Sequence, residues 1–117
     1  MFNNKPVFNE EGAVAKFFVS GSDSFVLGHF PSDAIFPGVL SLHCMKTLSD
    51  QYIDKITGGD LFKTTLKRIT YIDVVRPGDV LNIVCQLKKK KSNIIQVKAL
   101  IEVDGIVKSK STFVYEQ

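Results

Sequence analysis

Gly28-His29-Phe30-Pro31-Ser32-Asp33-Ala34-Ile35-Phe36-Pro37-Gly38-Val39-Leu40 sets one of the chain's two histidines in an apolar, proline-stiffened loop that runs into a helix start. A surface loop is ordinarily polar, yet Phe25, Val26, Leu27, Phe30, Ile35 and Phe36 crowd this one. A long connection rich in large apolar side chains has to pack against something, and such loops are more often functional than decorative. Pro37 and Gly38 suit the first turn of a helix, where proline loses nothing by lacking an N–H. The free N–H groups of that turn, Gly38 and Val39 among them, form a site for partial negative charge close to an imidazole. The arrangement reads as an active site.

The helix that follows is expected from Gly38 to about Asp54. Leu40, Cys44, Leu48 and Tyr52 repeat at the i, i+4 spacing, and Leu42, Met45 and Ile53 widen the apolar arc. His43 falls between Thr47 and Asp50 on the wheel, away from that arc. Upstream, Ala13 to Ser20 reads as a short strand paired with Pro6 to Glu10 across Glu11-Gly12. Downstream, Leu61 to Val75 reads as a long strand that ends before the turn Arg76-Pro77-Gly78-Asp79. Then period-two alternation takes over: Leu81, Ile83, Cys85 and Leu87; Ile95, Val97, Ala99, Ile101 and Val103; Val107, Ser109, Ser111, Phe113 and Tyr115. Asp104-Gly105 between the last two is a two-residue hairpin signal. One long helix against a meandering antiparallel sheet is an α+β layer.

The 117 residues are expected to form one domain, residues 1–117, with 44% hydrophobic and 23% charged residues, the balance of a soluble globular protein. No basic patch followed by an apolar core opens the chain, and no apolar run approaches the roughly 20 residues that span a bilayer. Cys44 and Cys85 sit among apolar neighbours and read as buried free thiols, which points to a reducing, cytoplasmic setting. The two histidines and two cysteines lack any ligand spacing, so no metal is expected; no phosphate-cradling or dinucleotide glycine pattern is present, and no cofactor is expected. Asp73 and Asp79 read as capping or exposed residues.

His29-Phe30-Pro31-x-x-x-Ile35-x-Pro37-Gly38-Val39-Leu40 closely resembles the signature loop of the β-hydroxyacyl-acyl-carrier-protein dehydratases of the hot dog fold. Ile72-Asp73-Val74-Val75-Arg76-Pro77-Gly78-Asp79 is similar to that family's strand-turn segment, and Val103-Asp104-Gly105-Ile106-Val107 to its last hairpin. The resemblance covers about residues 12 to 115. It implies a sheet wrapped around one central helix, a dimer whose sheets join, and elimination of water from a (3R)-hydroxyacyl thioester. On this resemblance His29 is the base that takes the α-proton, and the Gly38 N–H, with Val39, holds the thioester oxygen. On the same resemblance the apolar residues Phe30, Phe36, Val39 and Leu40 are expected to line the acyl tunnel.

Two departures stand out. Ala34 replaces the motif's middle proline, and His43 occupies the helix position where the family carries a glutamate or aspartate acid, supplied from the other protomer. Two imidazoles close together resist double protonation and hold one proton between them near neutral pH. With an ordinary imidazole pKa of about 6.5, a neutral His29 and a cationic His43 make a competent base and acid. Two other readings stay open: a thioesterase on the same fold, and a non-catalytic acyl-thioester binder forming the inactive half of a heterodimer. The substrate is expected on an acyl carrier protein or on coenzyme A. The net charge is +3, and Lys88-Lys89-Lys90-Lys91 before Ser92-Asn93 reads either as a solvated hairpin turn or as a docking patch for an acidic carrier. No aromatic residues interleave with these lysines, so nucleic acid is not expected.

Overall fold

The computed structural model describes residues 2–19, 38–60 and 62–117. The backbone runs through β1 (Val7–Phe8), β2 (Gly12–Phe18), α1 (Gly38–Thr57), β3 (Lys63–Tyr71), β4 (Val80–Lys91), β5 (Ile94–Val103) and β6 (Ile106–Glu116). The strands form one sheet in the order β1-β2-β4-β5-β6-β3, with every neighbouring pair antiparallel. Helix α1 packs on one face, over β2, β4, β5 and β6. This is the expected hot dog arrangement.

Alternation decides which face carries the helix. Leu81, Ile83 and Cys85 of β4, Ile95, Val97, Ala99, Ile101 and Val103 of β5, and Phe113 and Tyr115 of β6 are all buried. From α1, Cys44, Met45, Leu48, Tyr52 and Ile53 meet them. Small residues sit where the helix lies: Ala99 pairs with Cys85 on one side and Ser111 on the other. Buried hydroxyls there find sulfur. Ser111 Oγ donates to Met45 Sδ at 3.2 Å, and Ser49 Oγ shares a 3.3 Å hydrogen bond with Cys85 Sγ. At the turn between β5 and β6, Asp104 and Gly105 hold φ of 51° and 81°, the twist that lets two antiparallel strands reverse in two residues.

Strand β1 is shorter than expected, β2 shifts by one residue at its start and ends at Phe18, and three larger differences separate the structure from the sequence expectation. Helix α1 runs one turn past Asp54, because Ile56 still packs against the core and Thr57 Oγ1 donates to Ile53 O at 2.8 Å. Strand β3 stops at Tyr71 rather than Val75. The Ile72 and Asp73 N–H groups both donate to Lys108 O, at 2.9 and 3.1 Å, and the chain leaves the sheet there. The lysine run is strand rather than turn. Lys89, Lys90 and Lys91 pair with Gln96, Ile95 and Ile94, a bulge between Leu87 and Lys89 resets the register, and the reversal falls on Ser92 and Asn93. His29, Phe30 and Phe36 lie outside the described residues.

Candidate active site

Helix α1 begins at Gly38 with no acidic residue in its first turn, while Lys55 sits in its last. The partial positive charge of the helix N-terminus is therefore left uncompensated by any first-turn carboxylate, which suits a group carrying negative charge. Tyr71, the last residue of β3, donates its hydroxyl to Gly38 O at 3.0 Å. Its ring lies so close that a Cβ on residue 38 would stand 2.9 Å from Tyr71 Cε1. Glycine at 38 is what lets Tyr71 reach the backbone and hold the first turn.

Beside this contact lies a cavity of about 270 Å³. Gly38 and Ser41 line it from the helix, Tyr71 from β3, Val74 and Val75 from the β3–β4 connection, and Ser109 from β6. Ser109 is buried, and its Oγ is without a hydrogen-bond partner among the described residues. Asp73 stands at the cavity too, but both its oxygens are engaged. Oδ1 accepts from Val74 N at 2.8 Å and Oδ2 from Lys108 Nζ at 2.9 Å. The Lys108 hydrogen bond, aided by the Val74 N–H, holds the Asp73 carboxyl below its ordinary range. Asp79 caps its own turn, accepting from Arg76 N at 2.8 Å.

The residues named from sequence fall into three groups. Gly38 forms the cavity wall. Val39, 68% exposed, and Leu40, half-buried against the core, flank it on the helix without lining it. His43 is exposed on the outer side of α1, away from the buried arc, as its wheel position implied. Nearby Asp50 is not free to replace the missing acid: Tyr115 OH donates to its Oδ1 at 2.7 Å, and Lys46 Nζ meets its Oδ2 at 2.6 Å. Cys44 packs in the core with its thiol pushed up to about 12 by burial, and burial does the same to Cys85.

Tyr71, Ser41 and Ser109 are the residues that sequence reasoning did not place in the site. For Ser109 a signal existed, since a hydroxyl on the inward side of an alternating strand is out of keeping with an apolar core. For Tyr71 none did, because only the packing of β3 against the helix start gives it a role.

One helix lying on a six-stranded antiparallel sheet, with the helix start opening on a cavity, defines a hot dog protein. The chain belongs to the ApeI-like family, whose model, described as ApeI dehydratase, matches residues 5–110. Among curated relatives, the 3-hydroxyacyl-acyl-carrier-protein dehydratase FabZ of Latilactobacillus sakei subsp. sakei (strain 23K) is 36% identical over 98 residues, 81% of this chain and 70% of that one. FabZ of Caldicellulosiruptor bescii is 35% identical over 103 residues, 84% of this chain and 74% of that one. In the fold, the chain is similar to the dehydratase heterocomplex ApeI:P from Xenorhabdus doucetiae, with a TM-score of 0.71 at 16% identity, covering 97% of this chain and 100% of that one. It is also similar to a hypothetical thioesterase protein with coenzyme A from Streptococcus pneumoniae TIGR4, with a TM-score of 0.77 at 18% identity, covering 98% and 89%.

Proposed function

We propose that the chain is a 3-hydroxyacyl-acyl-carrier-protein dehydratase, a hydro-lyase that converts a β-hydroxyacyl thioester to the 2-enoyl thioester. The observation that carries this reading is the start of α1: a helix N-terminus without an acid, pinned by Tyr71 and opening on a cavity. The thioester oxygen accepts from the Gly38 N–H and from Val39 N–H. Fixed dipoles of this kind stabilise the enolate-like charge that develops as the α-proton leaves. Tyr71 strengthens the second donor, because a hydrogen bond to Gly38 O polarises the peptide whose N–H belongs to Val39. His29 takes the α-proton, the C–H electrons form the double bond, and the β-carbon–oxygen bond breaks. A protonated His43 from a second protomer completes the departing water. Its exposed position suits a role across an interface. Phe30 and Phe36 line the acyl path, with Val39 and Leu40 flanking it on the helix.

In this reading the protein works as a dimer or higher oligomer, with itself or with a second hot dog subunit. Among the described residues no strand pairs with the outer side of β3, and Leu66, Tyr71, Ile72 and Val74 are exposed beside it. The carrier docks on the basic outer surface. Lys88, the first of the lysine run, lines a basin of about 380 Å³ together with Arg68, Lys98 and Lys110. A thioesterase is favoured less. It needs a carboxylate free to activate water, and Asp73, the one carboxylate among the described residues lining the cavity, has both oxygens engaged and a lowered proton affinity.

The test is incubation with a β-hydroxyacyl carrier thioester, followed by mass spectrometry for loss of one water. The expected result is enoyl product from the wild type and about 100- to 10,000-fold less from His29→Ala. Release of free acid in place of enoyl product would establish the thioesterase reading instead.

A further inference from the structure

We infer that the Ser109 hydroxyl is the hydrogen-bond partner of the substrate's β-oxygen, an assignment that rests on the dehydratase reading of the site. A buried hydroxyl without a partner carries a desolvation cost, so folded cores rarely keep one. The neighbouring buried hydroxyls here obey that rule. Ser111, the next inward residue of β6, donates to Met45 Sδ, and Ser49 pairs with Cys85 Sγ. Ser109 alone appears among the described residues as a buried, unpartnered side-chain oxygen, and it does so in the wall of the cavity that Gly38 opens.

The topology brings the two ends of that cavity together. Ser109 pairs across strands with Tyr71, and the Tyr71 hydroxyl reaches Gly38 O. A thioester whose carbonyl oxygen sits on the Gly38 N–H places its β-carbon only two bonds from the carbonyl carbon. The β-oxygen then needs a donor in the same cavity. Tyr71's hydroxyl is already given to Gly38, and the Asp73 oxygens are held by Val74 and Lys108. Of the two serines in the cavity wall, Ser41 and Ser109, Ser109 is the one whose oxygen is fully buried without a partner among the described residues. Donating to the β-oxygen, it fixes the carbon–oxygen bond that breaks, and the bond it makes strengthens as charge builds on the departing oxygen. The proton that completes the water comes from the general acid, and Ser109 keeps its own.

The experiment uses two stable pantetheine amides, one with a β-hydroxyacyl chain and one with the matching saturated chain, measured by calorimetry on wild type, Ser109→Ala and Ser109→Cys. The wild type is expected to bind the hydroxylated analogue about tenfold more tightly than the saturated one, and Ser109→Ala to bind the two alike. Discrimination between (R)- and (S)-3-hydroxyacyl thioesters in turnover falls in parallel. Ser109→Ala should melt no lower than wild type, since it removes an unsatisfied group. Equal binding of both analogues by the wild type, an undiminished preference in Ser109→Ala, or a markedly lowered melting temperature would each overturn the assignment. Wild-type turnover in those cases leaves the dehydratase reading standing, whereas absence of any enoyl product removes both.

Discussion

Tyr71 is the residue whose role is easiest to isolate, because one atom distinguishes it from phenylalanine. Tyr71→Phe keeps the ring against Gly38 and deletes only the 3.0 Å bond to Gly38 O. Loss of one neutral hydrogen bond predicts a kcat lowered about three- to tenfold with folding unchanged, measured by steady-state turnover and far-ultraviolet circular dichroism. Gly38→Ala should cost far more activity than Tyr71→Phe, since the added carbon displaces the ring. At this scale the helix start at Gly38 was legible from its motif, whereas the contact of Tyr71 with it was not, because only packing creates that contact.

At the scale of the element, the inward rows of β4, β5 and β6 were readable because a half-buried strand must alternate, and each row has a neighbour on both sides. Helix α1 was readable for the same reason at its own period. Its end was not, because Ile56 and Thr57 earn their helical place through tertiary contacts that periodicity does not register. The lysine run was misplaced as a turn because four like charges resemble solvated loop, while pairing to the apolar Ile94–Ile95 side of β5 extends the strand. The seat of the helix predicts two outcomes. Leu48→Ala, at a fully buried position, should lower stability by about 3–5 kcal/mol in urea unfolding. Cys44 and Cys85, with thiols raised to about 12, carry almost no thiolate at pH 8. Alkylation of both should therefore wait for unfolding, so that labelling and loss of circular dichroism coincide across a urea series.

For the whole molecule, charge and edges decide what it meets. Lys88→Glu with Lys98→Glu and Lys110→Glu should weaken carrier binding at least about tenfold at low salt, with the difference shrinking as salt rises. No change at low salt would remove the basin as a docking surface. Leu66→Asp with Ile72→Asp, beside the outer edge of β3, should shift light-scattering mass toward the monomer and abolish turnover together, since the acid is proposed to come from a second protomer. The decisive measurement is enoyl formation from a β-hydroxyacyl carrier thioester by wild type, His29→Ala and His43→Glu in parallel. Product from wild type that vanishes with His29→Ala is the predicted result and makes the helix start a dehydration site served by an imidazole acid. No product from wild type, with turnover appearing only in His43→Glu, would contradict it and mark a hot dog subunit that kept the site and gave up the chemistry.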